Sequence, residues 1–421
     1  MRILLSVLFV GLGVVAVASR IATGPLFAEE RGPQQAAWTD DFLQDYVSAR
    51  AWRDGADPYT ETAVLRDAYV GDAINDGAPV GQANPHPPLA FLIVSPLSFL
   101  SYDAARALWL VLSAGAIALA IGAVARELGA SRAAAAVAGM GVLALPVVQK
   151  DLSFGQNNGM ILVLLAGTWL SMRRDRHVAA GVLLGLAVAI KLYPIFLLIP
   201  LVRVGARRPA TWTLLSAAGT WGVAAVLVGW SAIVTFATDV SPANFDYWRA
   251  GPMNLSLIAL PFRWLAENPW RDAAFDLPVL AAAAAVLAAA ACLVAAASTR
   301  ARATGDVFWA GVPWMILATP LAWEHYLVLA IPVVGLAMMR AIRTGESRLL
   351  AVAVVAALVV IGTPPGVSVT VPGISDVVQV LAYGLPLYGL LGLALLDLRR
   401  QRDGGPPGLA ESIEALPRPH G

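Results

Sequence analysis

The chain alternates between long apolar runs and short polar segments along most of its 421 residues. Many apolar runs reach roughly 15 to 25 residues, about the length an α-helix needs to cross a bilayer. We predict about twelve spans, at residues 3–23, 104–124, 133–148, 157–172, 178–192, 194–204, 212–236, 277–298, 307–320, 325–340, 348–363 and 376–397. Spans 178–192 and 194–204 also fit one long segment that Pro194 kinks. The pattern predicts an all-α polytopic membrane protein.

The orientation follows from arginine-rich clusters between the spans, because cytoplasmic loops retain Lys and Arg. The clusters are Arg2, Arg126 with Arg132, and residues 173–177, 203–208, 299–303, 340–343 and 398–402. All of them fall on one side only if the apolar segment 87–101 does not cross. We therefore interpret 87–101 as a short, proline-containing helix that dips into the outer leaflet, which places both termini in the cytoplasm.

The same pattern defines one domain and a tail. Residues 1–400 form a single integral membrane domain, in which 24–103 make up the first extracytoplasmic loop and the dipping helix. Residues 401–421 are rich in Pro, Gly and charge, and are expected to be a disordered cytoplasmic tail. The N-terminal run is alternatively a cleaved signal peptide, since Arg2 and the small residues at 16–19 flank an apolar centre. Either alternative leaves the following loop on the outer face.

Composition supports this class and excludes others. With 58% hydrophobic and 14% charged residues, the chain is too apolar for an ordinary soluble protein. A net charge of +1, carried in short clusters, gives no surface for nucleic acid. The single cysteine, Cys292, excludes an intrachain disulfide or a cysteine metal site. Walker, zinc-protease and nucleophile-elbow motifs are absent from the sequence, and charges within the spans are too scarce for a typical proton-coupled transporter.

This topology collects the remaining polar residues on the outer face, as in an active site at the outer leaflet. They are Asp40, Asp41, Asp45, Tyr46, His86, Lys150, Asp151, Gln156, Asn157, Lys191, Tyr193, Asn254, Glu324 and His325. Asp40, Asp45, Asp54 and Asp57 are interpreted as solvated loop carboxylates. Asp41 stands at the predicted start of a helix, so it is either an ordinary N-cap or a functional carboxylate.

Other candidates also have two interpretations. Lys191 suits a lipid phosphate at the outer leaflet, but a lysine at the end of a span also snorkels to the headgroups. His325 with Glu324 is either an interfacial pair or a group for phosphate binding or proton transfer. Gln156 and Asn157 suit sugar hydroxyls, whereas helix capping explains Asn157 equally well.

Several segments carry a resemblance to a known family. They read DFLQDYVSARAWRDGADPY, HPPLAFLIVSPLSFL, GQNNGMILVLLAGTWL, AGVLLGLAVAIKLYPIFLLIPL, NLSLIALPFRWL and TPLAWEHYLVLAIP. Their order and spacing, over roughly residues 40–340, resemble glycosyltransferase family 87, the polyprenol-phosphate-mannose-dependent mannosyltransferases of the GT-C superfamily. The resemblance implies a GT-C-type fold whose first outer loop carries short helices and the catalytic acidic residue.

The resemblance also implies a reaction and its residues. Asp41 would be the general base, with the adjacent Asp40 as the alternative carboxylate. It would take a proton from an acceptor hydroxyl whose oxygen attacks the anomeric carbon, while polyprenyl phosphate leaves and the configuration inverts. Lys191 and His325 are candidates for binding the departing phosphate. The other substrate-binding candidates are Glu324, Gln156, Asn157, Tyr46, His86 and Asn254.

We therefore expect a metal-independent enzyme without a cofactor in the bacterial plasma membrane. It would transfer mannose, or a related sugar, from a polyprenyl-phosphate sugar to a glycolipid or glycan on the extracytoplasmic face. Two alternatives remain open. One is a transferase that uses another lipid-linked sugar, such as arabinofuranose, and the other is a lipid or polysaccharide transporter or flippase.

Overall fold

The described part of the chain is helical, as the apolar pattern predicts. A computed structural model describes residues 11, 13–15, 41–71, 82–251, 254–268, 276–298, 304–345, 389, 391–392 and 394–395. Within these ranges, helices are joined by turns and irregular segments, no β-strand occurs, and an isolated antiparallel bridge links Glu61 to Ala83. The prediction of an all-α chain is therefore confirmed for the residues described.

Short helices precede the first long one. They are α1 (Asp41–Arg53), α2 (Thr62–Tyr69) and α3 (Pro88–Val94), which continues into a 3₁₀ turn over Ser95–Phe99. The segment 87–101, which we predicted to dip into the outer leaflet, thus consists of a short α-helix and a 3₁₀ turn. Pro88 opens α3, where its missing N–H costs no hydrogen bond.

The long and intermediate helices follow. They are α4 (Tyr102–Glu127), α5 (Arg132–Gly141), α6 (Pro146–Ser153), α7 (Asn158–Arg173), α8 (His177–Ile190), α9 (Leu198–Arg203), α10 (Arg207–Val228), α11 (Trp230–Thr235), α12 (Ser241–Trp248), α13 (Ala259–Leu265), α14 (Pro278–Ala297), α15 (Thr304–Ala318) and α16 (Ile331–Thr344). A 3₁₀ turn over Tyr193–Leu197 precedes α9, and another over Glu324–Ala330 precedes α16.

Three of the described helices, α4, α10 and α14, are long and apolar enough to cross a membrane alone. The pair α5 and α6 would make a fourth span, bent by 66°. Most other apolar segments, including α8 with 14 residues, are shorter. The predicted spans 3–23, 348–363 and 376–397 lie largely outside the described residues, so about twelve spans stays a prediction.

Two predicted spans, 133–148 and 212–236, are not continuous helices. Span 133–148 is broken because Leu145 is extended (φ −67°, ψ 135°), the conformation that a following proline favours. Span 212–236 ends early because Gly229 adopts φ 89° and stops α10 at Val228. By contrast, a break is present near Pro194, where spans 178–192 and 194–204 were predicted to meet: α8 ends at Ile190, and Lys191 is extended (φ −141°, ψ 136°). This last break leaves a charged side chain at the end of an apolar helix.

Three hydrophobic clusters hold the described elements together, and the two larger ones position the cavity. The largest one includes buried side chains of α4, α7, α8 and α15, and the second joins α1, α3 and the start of α4. In the second cluster, Phe42 stacks on Trp109 with ring centroids 5.6 Å apart, and Tyr46 packs edge-on against Tyr102 at 5.4 Å. Such aromatic pairs contribute about 0.5–1.5 kcal/mol each beyond simple burial. They fix α1 against the first long helix.

The start of α1 is also tied to the turn between α6 and α7. The N–H groups of Asp41 and Phe42 both donate to the Phe154 carbonyl, at 2.9 and 3.3 Å. The first N–H groups of a helix lack partners within the helix, so this carbonyl satisfies them. Gly155 adopts φ 63° in the same turn, and its carbonyl accepts from Trp109 Nε1 at 2.8 Å. Asp41 therefore lies beside Gln156.

Candidate active site

A cavity of about 870 Å³ lies where the segment that carries α1 to α3 meets the breaks at Lys191 and before α16. The residues that line the cavity come from segments that are far apart in the sequence. The polar lining residues include Asp41, Gln44, His86, Lys150, Gln156, Lys191, Tyr193, Glu324, His325 and Tyr326. Six of the nine predicted site residues are therefore brought together: Asp41, Lys191, His325, Glu324, Gln156 and His86.

A hydrogen-bonded chain joins the predicted base to the predicted cation through one amide. Gln156 Nε2 donates to Asp41 Oδ2, and Lys191 Nζ donates to Gln156 Oε1 at 2.7 Å. Gln44 Nε2 reaches Asp41 Oδ1 at 3.3 Å from one turn further along α1. Because the two charged partners need an amide donor and an amide acceptor, they fix the orientation of the Gln156 side chain.

Lys191 does not snorkel toward the headgroups, contrary to the ordinary interpretation of a lysine at the end of a span. Its side chain is buried, with 5% of the residue exposed. The ammonium also lies 4.8 Å from the ring centroid of Tyr326, within the range of a cation–π interaction. The extended backbone after α8 turns this side chain into the cavity, where it is held near Asp41.

Glu324 and His325 do not pair with each other. Glu324 Oε2 accepts from Lys150 Nζ, which joins α6 to the turn before α16. The His325 ring packs between Phe154 and Tyr326, with centroids 5.5 and 5.1 Å away. Its buried Nε2 has no hydrogen-bond partner within the described structure. The interpretation of a satisfied Glu–His pair is therefore wrong.

Asp45 is not a solvated loop carboxylate, contrary to the sequence-based interpretation. It is 3% exposed, and both of its oxygens lie 3.0 Å from His86 Nδ1. Asn84 Nδ2 donates to Asp45 Oδ1 at 2.9 Å. Asp54 and Asp57 are exposed, as predicted, and Asp40 lies outside the described residues.

Three predicted site residues do not line the cavity. The Tyr46 hydroxyl donates to the Leu100 carbonyl at 2.7 Å, within the α1 cluster. Asn254 joins two loops, since its Nδ2 donates to the Pro320 carbonyl at 3.0 Å and its Oδ1 accepts from the Ala322 N–H at 2.9 Å. Asn157 stands at the N-cap of α7, but its side chain makes no capping bond and its buried amide atoms have no partner in the described structure.

Four residues that line the cavity or support it were not among the predicted site residues: Gln44, Lys150, Asp45 and Tyr326. Gln44 and Asp45 follow Asp41 by three and four residues, the spacing that shares a helix face, so helical periodicity was an available signal. Lys150 and Tyr326 depend on contacts between distant segments. Among the described residues, no group of three or more His, Cys, Asp or Glu side chains is arranged to hold a metal.

Comparison with known proteins agrees with the resemblance read from the segments. Residues 85–320 match the model of glycosyltransferase family 87, which is more than half of the 421 residues. The chain belongs to glycosyltransferase family 87. The family match includes His86, Gln156 and Lys191, whereas Asp41 and His325 lie outside its limits.

One curated relative adds detail. A polyprenol-phosphate-mannose-dependent alpha-(1-2)-phosphatidylinositol pentamannoside mannosyltransferase of Mycobacterium tuberculosis (strain CDC 1551 / Oshkosh) is 27% identical over 253 residues. The alignment covers 59% of this chain and 56% of that protein. The family 87 chain therefore spans little more than half the length of the curated relative it matches.

Proposed function

We propose that this family 87 protein is an inverting glycosyltransferase with a GT-C-type fold. It transfers mannose, or a related sugar, from a polyprenyl-phosphate sugar to a glycolipid or glycan at the extracytoplasmic face of the membrane. The observation that carries the proposal is the Asp41–Gln156–Lys191 chain, which brings a carboxylate and a cation to one cavity. The name of the mycobacterial relative supports the donor class.

The distribution of charge in the cavity matches the two halves of such a reaction. Asp41 and Gln44 of α1, with His86, form what we call the loop wall. Lys150, Lys191 and His325 form what we call the phosphate wall, where Glu324 is paired with Lys150. Carboxylate and amide groups suit the hydroxyls of an acceptor, whereas the two lysine ammonium groups and an imidazole N–H suit a phosphate.

The proposed step breaks one bond to the anomeric carbon and forms another. The acceptor oxygen attacks that carbon, its proton passes to the Asp41 carboxylate, and the bond to the phosphate oxygen breaks. Polyprenyl phosphate leaves with an additional negative charge, which Lys191 and His325 would stabilise. Attack opposite the leaving group inverts the anomeric configuration.

An apolar part of the cavity offers a place for the prenyl chain. It is lined by Leu192, Ile195, Phe196, Ile199, Leu293 and Met315. Leu192 and Ile195 are each 47% exposed, so this part reaches the outer surface of the helices. Exposed apolar side chains next to the phosphate wall suit a lipid-linked donor that enters from the bilayer.

The test is transfer of radiolabelled mannose from synthetic polyprenyl-phosphate mannose by the purified protein, with a lipid and glycan extract as acceptor. We expect Asp41→Asn to retain donor binding and to reduce transfer by at least about 100-fold, the usual scale for loss of a general base. Asp54→Asn is the matched control, because Asp54 is an exposed carboxylate of the same loop.

Each outcome separates the alternatives. Equal transfer by wild type and Asp41→Asn would remove Asp41 from the mechanism. Transfer from a polyprenyl-phosphate arabinofuranose, but not from the mannose donor, would assign another sugar. Movement of lipid-linked sugar across proteoliposomes without transfer, unaffected by Asp41→Asn, would instead support a transporter.

A further inference from the structure

A carboxylate–imidazole pair, Asp45 with His86, lies at the cavity, and Asp45 is one helical turn beyond Asp41. Asp45 and Asp41 are four residues apart on α1 and therefore project from one face of the helix. The pair consists of Asp45, which is 3% exposed, and His86, which is 9% exposed and lines the cavity. A buried carboxylate–imidazole pair at a cavity wall needs an explanation beyond packing, because burial of polar groups is costly.

Hydrogen bonds hold the backbone of His86 at both its N–H and its carbonyl group. Its N–H donates to Asn84 Oδ1 at 3.0 Å, and its carbonyl accepts from the Tyr59 hydroxyl at 2.9 Å. Burial raises the pKa of the Tyr59 hydroxyl far above its usual value, so that hydroxyl remains a donor. Asn84 Nδ2 also donates to Asp45 and to Ser48 Oγ. His86 is thus fixed by its backbone N–H, by its carbonyl and by Nδ1 of its ring.

The hydrogen bonds assign the role of each ring nitrogen. Carboxylate oxygens only accept, so His86 Nδ1 carries the proton that is shared with Asp45. Nδ1 is therefore occupied, and Nε2 is the ring nitrogen left to meet a ligand in the cavity. In the neutral imidazole, Nε2 is a hydrogen-bond acceptor.

We propose that His86 Nε2 accepts a hydrogen bond from a saccharide hydroxyl, and that Asp45 is a positioning residue that orients the ring. The inference rests on the proposed transfer of a sugar and adds a specificity contact to it. The loop wall favours a hydroxyl over a phosphate, because a phosphate beside Asp41 and Asp45 would meet two carboxylates. The hydroxyl belongs either to the donor sugar or to the acceptor, and separate titrations distinguish these sources.

Two substitutions at His86 distinguish a role in ligand binding from a purely structural role. His86→Asn places an amide nitrogen where Nδ1 lies, so it retains the bond to Asp45 and removes Nε2. His86→Gln does the reverse, since its terminal amide reaches the position of Nε2 and loses Nδ1. A purely structural pair predicts that His86→Asn behaves as wild type and that His86→Gln is destabilised.

The proposal predicts a different pattern. We expect His86→Asn to unfold at the wild-type temperature and to raise KM for one substrate about tenfold, with little change in kcat, the scale of one lost hydrogen bond. Asp45→Asn should raise KM for the same substrate by a smaller factor. The double variant should raise KM no more than His86→Asn alone does, because Asp45 acts through the imidazole ring.

Deoxy analogues identify the contacted hydroxyl. Wild type should lose about tenfold in kcat/KM with the one donor or acceptor analogue that lacks it, and His86→Asn should lose nothing further with that analogue. Unchanged KM for both substrates in a folded His86→Asn variant would overturn the inference. Binding is titrated in parallel with polyprenyl-phosphate mannose and with methyl mannoside.

The binding titrations keep this inference distinct from the proposed function. If wild type binds either probe but never transfers sugar, the result counts against the proposed function alone. Weaker binding of that probe by His86→Asn would then still support the saccharide contact of His86. Absence of both transfer and binding in folded wild type would overturn both proposals.

Discussion

Gln156 is the residue whose chemistry is most constrained by its neighbours. Its amide donates to Asp41 and accepts from Lys191. We expect Gln156→Glu to abolish most transfer near neutral pH, because a second carboxylate beside Asp41 repels it and the pair retains a proton that blocks the base. Since that proton leaves as the pH rises, the acid limb of the rate profile should move to higher pH.

Gln156→Met provides the matched comparison, because it keeps the size of the side chain and adds no charge. It should lower the rate at all pH values and move the acid limb to higher pH by less than Gln156→Glu does, because it removes one hydrogen bond to Asp41 but adds no charge. The two pH–rate profiles are measured with saturating donor and acceptor. Superimposable profiles for the two variants would show that charge at position 156 does not reach Asp41.

The candidate site was predictable from the sequence only residue by residue. Residue type made Asp41, Lys191 and His325 candidates on one predicted face, and the family resemblance suggested their roles; the structure places all three at one cavity. The partner of each group was not predictable, because Lys150 and Glu324 are 174 residues apart and meet only after folding. Asp45 was misinterpreted because a carboxylate in a polar loop is usually solvated, and its burial depends on Asn84 and His86 from another segment.

At the scale of elements, α8 and α10 approach each other through small residues. A methyl group on Gly185 would lie 2.5 Å from Ser216 Cβ and 2.6 Å from the Thr213 carbonyl oxygen. We expect Gly185→Ala to destabilise the protein by about 1–3 kcal/mol, because the helices must separate. Transfer should also fall, since Lys191 directly follows α8. Thermal unfolding in detergent and the transfer assay measure the two effects.

Gly222→Ala is the control for this packing prediction. Gly222 lies in α10 with nothing within 4 Å of the added methyl group, so alanine should stabilise by up to about 1 kcal/mol through its higher helix propensity. If both variants unfold at the same temperature, the close approach of α8 and α10 does not contribute to stability.

The apolar pattern predicted where the helices lie, and it failed where a helix breaks inside an apolar run. Hydrophobicity does not distinguish one long span from two bent pieces, as α5 and α6 show. The signal for that break was Pro146, which disfavours helical geometry at the preceding residue. The signal for the break at Lys191 was Pro194, since a proline clashes with the helical carbonyl four residues earlier, at Ile190. The contacts of Lys191 with Gln156 and Tyr326 had no such signal.

At the scale of the whole molecule, α4 separates the segment that carries α1 to α3 from the turn between Arg126 and Arg132. Its 26 residues would extend about 39 Å at 1.5 Å per residue, more than the ~30 Å hydrocarbon core. Loop helix α1 packs near its start, where Phe42 lies 6.1 Å from the Tyr102 ring. Arg126 and Arg132 flank its end. If α4 spans the membrane, the cavity and this turn lie on opposite faces.

Cysteine labelling tests that topology, because the single native cysteine, Cys292, is buried and Cys292→Ala gives a cysteine-free background. Ala56 after α1 and Ala133 after α4 are both exposed, and neither substitution removes a charge that orients the chain. We expect an impermeant thiol reagent to label Ala56→Cys in intact cells and Ala133→Cys only after permeabilisation. The reverse pattern would put the cavity in the cytoplasm, where nucleotide sugars are present, and would remove the main physical reason for a lipid-linked donor. Labelling of both in intact cells would mean that α4 does not cross.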